Sequence, residues 1–127
     1  VSAFSDYLEN KVLDHVFGGN AYSAPGTLYL ALYTSDPGDD NSGTECSGTS
    51  YARQTIAFTV TADTASNTSA VEFPTAGSAW GTITHVGILD ALTSGNLLAH
   101  GALTSAKTVA SGDVFRVPAG DLDITLA

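Results

Sequence analysis

Two periods of apolar residues divide the chain. Over "SAFSDYLENKVLDHVFGG", Phe4, Leu8, Val12 and Val16 recur every four residues, and Tyr7, Leu13 and Phe17 widen the stripe. This spacing predicts an amphipathic helix over residues 2–18. Ser2 or Ser5 can cap its start, Asp6 and Glu9 sit where the helix dipole favours anions, and Gly18-Gly19 supplies a stop. A helix this short is marginal alone in water, so its stripe is expected to dock, either on its own sheet or on another subunit.

Beyond Pro25 the period falls to two. "TLYLALYT" puts Leu28, Leu30 and Leu32 on one face and Tyr29, Ala31 and Tyr33 on the other. A strand apolar on both faces is expected to be covered on both sides. "YARQTIAFTVT" alternates Ile56, Phe58 and Val60 against Thr55, Ala57 and Thr59, and "AVEFP" pairs Val71 with Phe73. "WGTITHVGILD" and "NLLAHGAL" read as two strands joined by the hairpin-length "ALTSG". "SGDVFRVPAGDLDITL" closes the chain with Phe115 and Val117 on one face, then Leu122, Ile124 and Leu126 in a second alternation. Seven or eight short strands after one helix predict a mainly β fold, a β-sandwich or jelly-roll-like arrangement over residues 26–127, in one domain spanning 1–127.

Composition narrows the function classes. Hydrophobic residues make up 43% of the 127 and charged residues 13%, which excludes a disordered composition. The net charge is −9, and Lys11, Arg53, Lys107 and Arg116 are scattered along the sequence. Neither a nucleic-acid partner nor an anionic membrane surface is expected of such a chain, since both need a basic face. Cys46 is alone, so no internal disulfide is expected. "VSAFSDYLE" lacks the basic and apolar regions of a signal peptide, and no apolar run approaches membrane-spanning length. The expectation is folding in a cytoplasm, with Val1 following removal of an initiator Met.

"SDPGDDNSGTE", Ser35 to Glu45, offers Asp36, Asp39, Asp40, Asn41 and Glu45 as oxygen ligands. Calcium takes six to eight oxygens from a flexible loop, but the spacing does not follow the helix-loop-helix calcium pattern. The same residues also turn a chain, and the expected reading is a solvated, mobile connection. His85 and His100 lie on the two strands of the predicted hairpin, where one register sets them opposite each other. A zinc site there needs further ligands, and none is close by in sequence. Histidines on half-exposed strand faces are the plainer expectation, so no metal and no cofactor is assigned.

Catalysis finds no foothold. The sequence has no G-x-S-x-G elbow, phosphate loop or dinucleotide fingerprint. Cys46 has no basic neighbour in sequence to activate it, and Asp121 and Asp123 share the solvated face of their strand. Asn67-Thr68-Ser69 matches a glycosylation sequon without a secretion signal to make it relevant. Trp80 can anchor a core or an interface, or stack a sugar if it stands on an exposed aromatic platform.

Four stretches, "SDYLENKVLDHVFGG", "LYLALYTSDPGDD", "HVGILDALTSGNLLAHGAL" and "SGDVFRVPAGDLDITL", resemble short structural proteins of tailed bacteriophages, often loosely labelled tail-fibre-like. That resemblance implies an N-terminal amphipathic helix followed by a β-sandwich, and no catalytic residues. Small acidic β-rich virion proteins of this size also resemble head decoration, or cement, proteins, which sit outside the capsid lattice, commonly as trimers. The expected function is a non-enzymatic virion protein, assembled in the host cytoplasm, that cements the phage head through the major capsid protein and its own homotrimer. A tail-associated or fibre-like structural protein is the alternative, and a surface sugar-binding module a second one. Contacts are expected from Phe4, Leu8, Val12 and Val16 on the helix, from Tyr29 and Tyr33, and from Trp80.

Overall fold

A computed structural model of the chain describes residues 3–126. In chain order the elements are β1 (Ala3–Phe4), α1 (Asp6–Val16), β2 (Leu28–Tyr33), β3 (Gln54–Ile56), β4 (Phe58–Thr61), β5 (Thr64–Asn67), β6 (Val71–Glu72), β7 (Gly81–Leu89), β8 (Leu97–Val109), β9 (Arg116–Val117) and β10 (Asp123–Thr125). The fold is mainly β with one short helix, as the two periods predict. A five-stranded antiparallel sheet runs in the order β1-β8-β7-β2-β3, beside a three-stranded sheet β10-β5-β4 and a two-stranded sheet β6-β9.

The main core joins all three sheets. Leu30, Leu32, Ile56, Ile83, Val86 and Ile88 of the large sheet pack with Val71, Phe73, Phe115 and Leu122 from the smaller sheets and their flanks. Aromatic edges close the centre: Trp80 meets Tyr51 at 5.4 Å and Phe73 at 6.4 Å between ring centroids, and Phe73 meets Phe115 at 5.9 Å. Such T-shaped contacts add to area burial because ring edges and faces carry opposite partial charge. Trp80 Nε1–H donates to the Thr49 carbonyl at 3.0 Å, so the indole is buried with its donor satisfied.

The other face of the large sheet is covered as well, as the pattern of β2 predicts. Ala31, Tyr33, Leu89 and Leu97 form a second buried cluster there. Gly87 makes room for it. A Cβ at this position would stand 2.8 Å from the Tyr33 ring and 2.9 Å from Leu97, closer than side chains approach.

The boundaries depart from the sequence reading in three places. Helix α1 starts at Asp6, because Ser5 is its cap in extended conformation and its Oγ accepts from Leu8 N–H at 3.2 Å. Phe4 therefore leaves the helical stripe. It pairs with Ala99 in β1, at the edge of the large sheet, and packs against the main core. The other proposed cap, Ser2, lies outside the described residues. Strand β5 was not expected, because Thr-Ala-Ser-Asn carries no apolar alternation; the Ala62-Asp63 turn and pairing with β4 and β10 set it. Strand β8 runs on through the polar Thr104–Thr108 to Val109, because β7 offers it a ladder as far as Gly81.

Candidate functional site

Helix α1 and its C-cap carry three of the large hydrophobic side chains that stand exposed, Leu13, Val16 and Phe17. None of its residues is fully buried. Leu8 and Val12 are half-buried, while Leu13 is 56% exposed, Val16 60% and the cap residue Phe17 83%. Positions 13, 16 and 17 lie three and four apart, so they form one apolar patch at the C-terminal end of the helix. The N-terminal end carries charge instead. Asp6, Glu9 and Asp39 bring carboxylate oxygens within 4.8 Å of one another, all on exposed residues. The helix is tied to the sheet through its cap. Ser5 N–H donates to Leu98 O at 2.8 Å, and Ser5 Oγ–H donates to Leu97 O.

The Ser35–Glu45 loop is not the free connection its composition suggests. It folds back over the second face of the large sheet as a strap. Pro37 is fully buried, the Tyr33 hydroxyl donates to Asn41 Oδ1 at 2.8 Å, and Asp39 O accepts from Asp6 N–H at 2.9 Å. His100 is buried beneath it, with Nε2 2.8 Å from Asp39 Oδ1. Composition predicts mobility, but burial of Pro37 and Tyr33 with their hydrogen bonds decides the outcome. Burial, followed by the Glu45 charge, pushes the Tyr33 hydroxyl up to about 12. Solvated Asp40 behaves differently: hydrogen bonds from Ser42 hold its carboxyl below the usual range.

The strap ends in an ion pair. Arg53 Nη2 and Nε donate to the two oxygens of Glu45 at 2.8 and 2.9 Å, a bidentate geometry. Arg53 Nη1 also reaches Ala91 O and Ser94 O in the β7–β8 turn. Tyr51 O–H donates to Glu45 Oε2 at 2.7 Å while accepting from Leu32 N–H at 3.1 Å. Burial and the Glu45 bond hold the Tyr51 proton well above its usual range. One charged network thus joins β2, the strap and the hairpin turn.

The residues expected to form an interface are dispersed. Tyr33 and Trp80 are 1% and 3% exposed, so both are interior to the subunit, and neither side chain presents contact area. Apolar character in both had suggested an interface; the strap covers one and the aromatic cluster the other. A sugar platform around Trp80 is lost with it. Tyr29 is half-buried beside Leu89 and Thr55. Phe4 is on the sheet edge, Leu8 and Val12 face the body of the subunit, and only Val16 of the original set is prominently exposed. Leu13 and Phe17, which flank the stripe in the sequence, are 56% and 83% exposed and join Val16 at the surface.

Other sequence candidates also have definite places. His85 and His100 are not opposite each other: His85 pairs with Ala102, and Gly87 with His100, so they are diagonal neighbours on one face. Cys46 is buried, and burial, followed by Glu45, pushes its thiol up to about 11, the opposite of an activated nucleophile. Asp121 and Asp123 are exposed, and Asp123 accepts a hydrogen bond from Ser66. A cleft of about 550 Å³ beside β3 is lined by Pro25, Leu28, Ile56, Phe58 and Val71 with Gly, Ala, Ser and Thr, and by no titratable side chain.

These features define a β-rich protein whose surface offers a helix end and a pinned strap. The chain belongs to the family described as Podophage GP4 fiber I protein gp80, which it matches over residues 3–125. This bears out the likeness to tail-fibre-like structural proteins of tailed phages. No curated protein matches the sequence.

Proposed function

We propose that this chain is a structural subunit of a phage tail-fibre assembly and works by contact, with no catalytic step. Membership of a fibre family over nearly the whole chain carries this reading. It favours the tail over the head exterior, so a fibre or tail protein takes the place of the major capsid protein as the partner. The apolar helix end supports it physically. Leu13, Val16 and Phe17 are large, adjacent and exposed, and an apolar side chain contributes about 1.5–3 kcal/mol when fully buried. Self-association, as a homotrimer or otherwise, uses the same patch.

The test is location within the particle. Antibody labelling or a reconstruction of the virion should find the chain at the tail fibres. Regular density over the head lattice would return the reading to a cement protein. In parallel, the double variant Leu13→Asp, Phe17→Asp should lose self-association or attachment to the virion while keeping its β-rich circular dichroism. Retention of both by a folded variant would move the interface elsewhere.

A further inference from the structure

The N-terminal segment is bonded together as a piece of its own. Asn20 Nδ2–H donates to Asp14 Oδ1 at 2.9 Å, and Asn20 N–H donates to Asp14 O at 3.2 Å. Tyr22 N–H donates to His15 Nδ1 at 3.1 Å, and the Tyr22 ring meets the Tyr7 ring edge-on at 6.4 Å. The chain after α1 is thus folded back on the helix, and residues 3–22 make one arm.

The arm docks through a short joint. Ala3 pairs with His100 and Phe4 with Ala99. Ser5 N–H donates to Leu98 O at 2.8 Å, Ser5 Oγ–H donates to Leu97 O, and Asp6 N–H donates to Asp39 O at 2.9 Å. Phe4, half-buried, is the apolar plug of the joint. All of these partners lie on β8 or on the strap. A second copy of the chain presents the same dock, complementary to the arm by identity.

Arm and body are joined by Ser23-Ala24-Pro25-Gly26. Among the described residues these four have no backbone hydrogen bond to the rest of the chain. Pro25 and Gly26 border the open cleft of about 550 Å³ beside β3. Pro25 fixes its own φ and biases Ala24 toward extended backbone. A hinge that leans toward extension and is held by no bonds is suited to passing an element to a neighbour.

We propose that the arm exchanges between copies, so that β1 and α1 of one subunit dock on β8 and the strap of another. Each bond of the joint is kept on exchange, and concentration decides between the two forms. A short hinge holds the arm near its own dock at an effective concentration on the order of millimolar. The closed chain therefore prevails in dilute solution, and exchange takes over where subunits are crowded. The joint leaves Leu13, Val16 and Phe17 exposed, so exchange needs neither that patch nor the fibre reading.

The experiment traps the exchanged joint with a disulfide between two different chains. One full-length chain carries Phe4→Cys and the other Ala99→Cys, each with Cys46→Ala so that it holds a single thiol. Paired antiparallel residues have Cα atoms about 4.5–5.5 Å apart, within disulfide reach. Ala99 is only 1% exposed, so a thiol there meets another chain only when that chain's arm takes the place of its own. Mixing and mild oxidation should give the mixed dimer on non-reducing gels, with β-rich circular dichroism kept. Its yield should rise about 10-fold or more between about 10 μM and about 1 mM protein. Adding Leu13→Asp and Phe17→Asp to both chains should leave the yield unchanged. If Phe4→Cys disturbs folding, Ala3→Cys mixed with His100→Cys makes the same measurement at the adjoining pair. The proposal is overturned if the only dimers join two Phe4→Cys chains, if no mixed dimer forms at any concentration, or if the Leu13 and Phe17 changes abolish it.

Discussion

Strand β2 and helix α1 are both apolar-striped, yet Leu30 to Tyr33 of β2 are all buried while no residue of α1 is. The strand has hydrogen-bonded neighbours on both sides, the main core on one face and the strap over the other. The helix is attached chiefly at its N-terminal end, through Ser5, and leaves its C-terminal end in solvent. The same kind of residue therefore means two things here. In β2 an apolar side chain reports on stability. In the last turn of α1 it reports on contact with something outside the subunit.

Truncation separates the two regions most sharply. Leu32→Ala should cost about 2–5 kcal/mol, since it empties a fully enclosed site; denaturant unfolding measures it, and a loss comparable to that of a surface change would show that the core around β2 is loosely packed. A second, intermediate effect comes from alkali. Folding holds Cys46 up from 9.0 to about 11 and Tyr33 from 10.0 to about 12. Between those values the folded chain keeps protons that the unfolded chain has lost. Its unfolding free energy therefore falls as pH rises. The denaturation midpoint should drop through this window, and Tyr33→Phe should flatten the dependence; a midpoint indifferent to pH up to about 11 contradicts the burial of these groups. The smallest effect belongs to the helix. Val16→Ala should change stability by no more than about 0.5 kcal/mol, and a larger loss in the isolated chain would mean that the helix end is part of the fold.

Local patterns carried much of the fold. Two-residue alternation announced β2, β7 and the first part of β8, and Gly18-Gly19 sits immediately after the Phe17 cap of the helix. Phe4 was misleading because four-residue spacing fits it to the helix, whereas the Ser5 cap starts the helix only after Phe4, which stays in β1. Strand β5 was hidden because its pairing, not its side chains, defines it. The strap could not be read at all. Asp36 meets His85 and His100 across 49 and 64 residues of sequence, and composition speaks only of turns and solvation. Trp80 and Tyr33 looked suited to an interface because buried aromatics and contact aromatics are chemically the same; only the surrounding chain distinguishes them.

The attachment of α1 has a mechanical consequence. Among the described residues, strand β1 holds the sheet through two residue pairs, Ala3 with His100 and Phe4 with Ala99, supplemented by the bonds of Ser5. The β7–β8 hairpin that receives them is paired from Gly81–Val109 to Leu89–Leu97. If a neighbour grips the helix end and pulls, tension passes through the short attachment before it reaches the long hairpin. The N-terminal segment then peels away first and the sheet stays closed, so a tug absorbed at the joint leaves the body of the subunit intact and able to re-dock.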